Sequence, residues 1–280
     1  MSPVPDRSAS PPEPGPDGGK AGPGVVQAVG GWLQAWGRQG IEFLYPPACR
    51  LCACELPPQS SADRGSGFCL SCETQLLADG SPGCGRCGAP VGMHAQTSAG
   101  CPHCRGDRFA FDTVIRLGVY QGVLKTAILD SKRRGAEGLV LGLAELVWRK
   151  NAELLRQLAP QMVLPVPHHG WQALFRPHNP AGVLAEAWGE RLCCPVQPGA
   201  LVKTRWTRSQ ARLGPAQRRS NLKGVFKARP GVIAPGATVL LADDVLTTGS
   251  TAHEAALALR KAGAGRVIVA VVARGLGQPR

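Results

Sequence analysis

Val239-Leu240-Leu241-Ala242-Asp243-Asp244-Val245-Leu246-Thr247-Thr248-Gly249-Ser250-Thr251 is the stretch whose reading decides the fold. Val239–Ala242 is a continuous apolar run and predicts a buried strand. Two adjacent acids follow at its C-terminal edge, then a small, hydroxyl-rich turn, then a helix expected over Thr251–Ala262 and closed by Gly263. Each part has a chemical use. Paired carboxylates accept hydrogen bonds from the two vicinal hydroxyls of a ribose and help to hold hydrated magnesium. The turn presents successive N–H groups at a helix N-terminus, which suits a phosphate. Gly249 lets the backbone approach closely, and the hydroxyls of Thr247, Thr248, Ser250 and Thr251 add donors. An ordinary strand, turn and helix with a capping Asp explains one acid and one threonine, not two acids beside a run of small residues. A receiver-type pocket also pairs acids, but early in its domain and without a Thr-Thr-Gly turn.

Outward from this segment the chain alternates. Asp112–Tyr120 reads as a strand and Leu139–Leu158 as a helix. Met162–Val166 is a short buried strand, Val183–Leu192 a helix and Arg266–Ala273 a β-branched strand. Strands alternating with helices predict a largely parallel sheet covered on both faces. The chain has 280 residues, of which 44% are hydrophobic, ample for a sizeable core. Lys and Arg total 32 against 19 Asp and Glu, a net charge of +13 that favours anionic partners. The Pro/Gly-rich start has no apolar core of a signal peptide, and no run of residues is apolar enough for a membrane span. A cytoplasmic protein is therefore expected. Residues 1–24 read as a disordered tail. Residues 25–44 form an amphipathic segment, with helix character weakened by Gly30, Gly31, Gly37 and Gly40.

In a reducing compartment, eleven cysteines need an explanation other than disulfides. Nine fall between Cys49 and Cys104, and eight form C-x-x-C pairs: Cys49/Cys52, Cys69/Cys72, Cys84/Cys87 and Cys101/Cys104. Each C-x-x-C turn aims two thiolates at one tetrahedral ion, and a second pair closes the site. The expectation is two saturated structural zinc sites, with Cys54 left over and His94 and His103 facing solvent. Metal-free buried cysteines and redox C-x-x-C motifs are the alternatives, and four such pairs favour zinc. Cys193-Cys194 is expected to pack in the core. The boundary between the cysteine-rich part (25–110) and the α/β part (111–280) is placed near residue 110.

The acid-and-turn segment resembles the signature of type I phosphoribosyltransferases. With the upstream ribbons, the chain is similar to the ComF/GntX family over roughly residues 42–275. Tyr45-Pro46-Pro47-Ala48-Cys49 looks like that family's entry to its first ribbon. Lys132-Arg133-Arg134-Gly135 resembles its basic K-x-x-G segment, and Leu164-Pro165-Val166-Pro167 its strand into the pyrophosphate loop. Gln210, Arg218, Asn221, Gly224 and Phe226 match a spaced Q…R..N..G.F pattern. One stretch departs: Arg176-Pro177-His178-Asn179-Pro180 stands where the family carries R-G-F-N-Q, and its prolines stiffen the segment.

The resemblance implies a type I phosphoribosyltransferase fold, Rossmann-like with a mostly parallel sheet, behind an N-terminal double zinc ribbon. It implies phosphoribosyl pyrophosphate bound with magnesium by Asp243, Asp244, Val245, Leu246, Thr247, Thr248, Gly249, Ser250 and Thr251, with Lys132 beside them. Asp243, Asp244 and Arg176 are the candidate catalytic residues. From Leu201 to Arg229 there are nine basic residues and no acid. Like charges at this density are not expected to pack without an anion. Arg205, Trp206, Arg208, Arg212 and Arg218 would meet either a leaving pyrophosphate or a single-stranded nucleic acid, with Trp206 as a stacking platform. His168 and His169 lie where the pyrophosphate loop is expected. Two functions follow: a phosphoribosyltransferase serving DNA uptake or nucleotide salvage, or a catalytically inactive single-stranded-DNA-binding adaptor for DNA-uptake proteins.

Overall fold

The computed structural model describes residues 46–57, 65–95, 97, 99–167, 179–205 and 222–276. The expected tail and amphipathic segment, His168, His169, Arg176, Trp206, Arg208, Arg212 and Arg218 lie outside the described residues. In chain order the elements are α1 (Leu70–Leu76), β1 (Thr113–Val119), α2 (Gly122–Asp130), α3 (Glu137–Leu158), β2 (Met162–Pro165) and α4 (Pro180–Leu192). They continue with β3 (Leu201–Lys203), β4 (Phe226–Ala228), β5 (Thr238–Leu246), α5 (Ser250–Lys261) and β6 (Arg266–Arg274).

β1, β6, β5 and β2 form, in that spatial order, a parallel four-stranded sheet. Side chains alternate across a strand, so two apolar sets can face two layers. On β5, Leu240 and Ala242 join Ile268, Ala270 and Val272 of β6 in the core under α2, α3 and α4. Val239 and Leu241 join Val267, Val269 and Val271 in the core under α5 and the β3–β4 pair. Continuous apolar strands are what a sheet covered on both faces requires. α3 contributes Leu139, Leu143, Leu146, Val147 and Leu155 to the first core, and α4 adds Leu184 and Trp188. The Trp188 indole N–H donates to the Ala144 carbonyl at 3.1 Å, tying α4 to α3.

The cysteine-rich segment packs directly on this framework. Phe68, Cys72 and Leu76 lie in the same core cluster as α3. A Cβ at Gly142 would sit 2.5 Å from the Ser66 carbonyl oxygen and 2.8 Å from the Phe68 ring, so α3 needs glycine there to seat the ribbon. Between the two ribbons, Asp79 forms an ion pair with Arg116, which β1 buries to 4% exposure. Asp79 also accepts from the Val119 N–H at 2.8 Å and the Ser81 N–H at 3.1 Å.

Burial opposes the Asp79 charge, and the hydrogen bonds from Ser81 and Arg116 outweigh it, holding the carboxyl at about 2. Removing one partner of a buried pair leaves the other charge uncompensated. Asp79→Ala is expected to destabilise the protein by about 3 kcal/mol in denaturant titrations. A loss below about 0.5 kcal/mol, the size of an ordinary surface change, removes this role. Because the folded pKa is depressed, the stabilisation is present above the unfolded value of 3.8 and is lost as pH falls towards about 2. The stability gap between wild type and Asp79→Asn should therefore narrow on acidification.

Element ends depart from the sequence expectations for identifiable reasons. β5 does not stop at Ala242 but runs through the acids to Leu246, because β6 continues to pair with it up to Leu246 opposite Arg274. α4 starts at Pro180, where proline suits a first helical position. It ends with Cys193 in the left-handed conformation (φ 52°), which turns this residue outward. Cys193 is thus exposed, correcting the expectation that it packs in the core, while Cys194 is half-buried and packs against the core. α2 was not anticipated, although Leu124, Ala127 and Ile128 at helical spacing form its buried face. Among the described residues no helix is long and apolar enough to cross a membrane.

Candidate ribose-phosphate site and metal centres

β5 is an interior strand, and its last pairing with β2 joins Ala242 to Pro165. Asp243–Leu246 run on beyond that point, supported by β6. After β2 the chain goes to α4 on one face of the sheet; after β5 it goes to α5 on the other. Connections that diverge at the C-terminal ends of neighbouring parallel strands mark the usual ligand crevice of such sheets.

Asp243 and Asp244 stand at that edge, both half-buried. Lys132, in the turn between α2 and α3, reaches Asp244 with its Nζ 2.6 Å from Oδ2. The Asp244 N–H donates to Asp243 Oδ1 at 2.9 Å, and the Val245 N–H donates to Asp244 Oδ1 at 2.7 Å. Burial, then the neighbouring Asp244 charge, raises Asp243 well above the usual carboxylate range. Burial opposes charge on Lys132, and the Asp244 carboxylate outweighs it, so the lysine pKa is raised. One lysine thus answers a closely spaced pair of acids.

Beyond Leu246 the chain makes the hydroxyl-rich turn. Gly249 sits in the left-handed region (φ 76°) and caps α5 without a side-chain hydrogen bond. The Ser250 N–H donates to the Thr248 hydroxyl at 3.4 Å, and a helix start favours an anion through both its N–H donors and the helix dipole. The Thr248 and Ser250 hydroxyls are 2.8 Å apart. The stacked rings of Phe109 and Phe111 lie against Gly249; a Cβ there would be 3.1 Å from Phe109.

The eight paired cysteines converge as two groups, Cys49/Cys52/Cys69/Cys72 and Cys84/Cys87/Cys101/Cys104, in each of which the four Sγ atoms lie within 4.8 Å of one another. The Cys52–Cys69, Cys87–Cys101 and Cys84–Cys104 sulfurs are separated by 3.7, 3.6 and 3.9 Å. Tetrahedral zinc with bonds of about 2.3 Å places its sulfurs about 3.8 Å apart, so the donor sets fit that ion. Burial opposes ionisation of Cys49, and the N–H groups of Cys52, Cys69 and Leu51 outweigh it, bringing the thiol to about 6. Cys84 falls to about 7 as the N–H groups of Cys87 and Arg86 overcome burial in the same way. Cys54, His94 and His103 are exposed and outside both groups.

The structure therefore brings together Lys132, Asp243, Asp244 and residues 245–251, and separately gathers both cysteine groups. Of the basic stretch, Lys203 lies in β3 and Lys227 in β4, an antiparallel pair, and Arg205 donates to the Lys223 carbonyl at 2.8 Å. Backbone pairing orders the two ends of that stretch despite their charge. Arg274, at the end of β6, escaped the sequence reading. Its signal was a lone cation closing an otherwise apolar run.

Residues 204–279 match the family described as phosphoribosyl transferase domain. Competence protein F of Haemophilus influenzae is 30% identical over 75% of this chain and 91% of its own length. DNA utilization protein YhgH of Escherichia coli O157:H7 is 27% identical over the same shares, 75% and 91%. Adenine phosphoribosyltransferase of Leishmania donovani aligns in structure at 17% identity, covering 56% of this chain and 70% of that one, with a TM-score of 0.31. The parallel sheet with its acid-and-turn crevice is a type I phosphoribosyltransferase fold. By its identity to competence protein F along nearly the whole of that relative, the chain belongs to the ComF family.

Proposed function

We propose that this protein binds phosphoribosyl pyrophosphate with magnesium at the C-terminal edge of β5, holds structural zinc in both cysteine groups, and serves the uptake or use of DNA. The observation that carries the reading is the placement of Asp243 and Asp244 on an interior strand just before a helix N-terminus capped by Gly249, with Lys132 on Asp244. The two carboxylates accept hydrogen bonds from the ribose 2- and 3-hydroxyls. The amides and hydroxyls of residues 247–251 hold the 5′-phosphate. Lys132 keeps the acid pair from repelling itself and lies within reach of an arriving diphosphate. Magnesium, when bound, screens the diphosphate charge. The DNA role rests on the names of the competence and DNA-utilization relatives.

Calorimetry on zinc-loaded protein is the direct test. Phosphoribosyl pyrophosphate with magnesium should give saturable heat. Ribose 5-phosphate, which keeps the hydroxyls and the phosphate but lacks the diphosphate, should bind more weakly. Absence of heat with phosphoribosyl pyrophosphate ends this reading.

The β3–β4 pair supports single-stranded DNA as a second ligand: Arg205, Lys223, Lys227 and Arg229 are all exposed on it or beside it. Phosphate contacts made by such residues predict an affinity that drops steeply with salt. Binding that is absent or insensitive to salt removes the DNA ligand and leaves the ribose-phosphate site untouched.

A further inference from the structure

Arg274 ends β6, a strand whose preceding eight positions hold one exposed arginine and seven buried apolar residues. It is 7% exposed. Burying a guanidinium costs more than burying the apolar side chain that would continue the strand, unless its donors are met. They are met by backbone carbonyls from two separate parts of the molecule. Nε donates to the carbonyl of Cys87, in the second cysteine group, at 2.7 Å. Nη1 donates to the carbonyl of Leu246 at 3.1 Å and to those of Thr247 and Gly275. Leu246 and Thr247 are the entry to the phosphate turn.

A second connection runs in parallel. Phe109 packs against the second cysteine group and also lies against Gly249 of the turn. Next to it, the Ala110 N–H donates to His253 Nδ1 at 3.1 Å, while the His253 N–H donates to the Gly249 carbonyl at 2.8 Å. The turn is therefore held at its start by Arg274 and at its end by the Phe109–Ala110 segment, both anchored on the same knuckle.

We infer that Arg274 is a positioning residue for the phosphate turn, and that it makes the shape of that turn depend on the integrity of the second four-cysteine group. The inference rests on the ribose-phosphate reading above only for its effect on affinity. With the guanidinium gone, the Leu246–Thr247 peptides lose the donor that fixes their orientation, and the N–H groups that follow no longer converge on one phosphate.

The test compares Arg274→Gln and Cys101→Ser with wild type. Cys101→Ser breaks the second group while keeping the Arg274 side chain and its acceptor carbonyl on Cys87. Leu155→Ala, in the core under α3, is a control for general destabilisation. Each protein is studied well below its melting temperature, by calorimetry with phosphoribosyl pyrophosphate and magnesium and by amide hydrogen exchange. Arg274→Gln and Cys101→Ser should each bind roughly tenfold to hundredfold more weakly, with faster exchange at residues 247–250. Leu155→Ala should lower the melting temperature while both readouts stay at wild-type levels. Arg274→Lys, which keeps the charge and one reach of donors, should recover part of the affinity, and it replaces the glutamine variant should that one fail to fold. Folded Arg274 variants that bind within twofold of wild type and leave exchange at 247–250 unchanged overturn the positioning role. An unchanged turn in Cys101→Ser overturns the link to the knuckle. If wild type itself gives no heat, the ribose-phosphate reading fails, and the exchange data still decide this one.

Discussion

Replacing Asp243 and Asp244 together with asparagine should abolish the heat of phosphoribosyl pyrophosphate binding in magnesium, a loss of about a thousandfold. Two hydrogen bonds from ribose hydroxyls are weakened, one to a charged carboxylate worth about 1.5–3 kcal/mol and one to Asp243 worth about 0.5–1.5 kcal/mol. Asparagine keeps the shape and one acceptor oxygen, so the loss reports charge rather than a collapsed site. Folding should not suffer. The change removes two neighbouring like charges, of which Asp243 is driven strongly towards its neutral form by burial and by Asp244. Lys132 loses its partner but has 42% of its side chain in contact with solvent and can be hydrated. Melting temperature should therefore hold while binding goes. Single-stranded DNA affinity should also hold if DNA is met by the β3–β4 pair. Affinity for phosphoribosyl pyrophosphate within about threefold of wild type, less than one ordinary hydrogen bond, means that the acids do not carry the ribose.

Stripping the metal should have the largest effect on stability. Among the described residues the second cysteine group sits in a small cluster of its own: four cysteines and Ala89, with Val91 and Phe109 packed against them. Without a metal ion, that cluster has little apolar area to hold it and four ionisable thiols facing one another, with the guanidinium of Arg274 beside them. Structural zinc contributes about 10–16 kcal/mol in small zinc-binding units, more than most domains have to spare. Chelation should release zinc from both groups and lower the melting temperature by tens of degrees. Amides of residues 84–108 should lose protection first. The first group should resist longer, because Cys49 and Cys72 share the larger core with Phe68, Leu76 and α3. Added zinc should restore the protein and magnesium should not, since thiolates prefer the softer ion. An apo protein that melts within a few degrees of the loaded one would show that the cysteines stabilise the fold without metal.

Much of this arrangement was legible because it is written locally. A C-x-x-C turn places both thiols by its own geometry, so the pairs announce their groups before any fold is known. The run from Val239 to Thr251 names a buried strand, an acid pair and a helix start from adjacent residues alone. The amphipathic spacing of Leu139–Leu158 does the same for α3. Short elements were harder to see. β3 and β4 are three residues each and exist only because they pair with one another. Nothing within either segment outweighs its charge until the partner arrives.

The sequence by itself determined the class of fold, the pairing of the eight cysteines and the location of the acid-and-turn segment, because each follows from periodicity or spacing within one stretch of chain. Tertiary structure alone decided that Lys132 meets Asp244, that Asp79 answers Arg116 and that Arg274 spans the second knuckle and the phosphate turn. These are contacts between segments far apart in the chain. Sheet register and the layering of helices bring them together, and whether a charge is buried, paired or free depends on which distant backbone and side-chain atoms the fold sets around it.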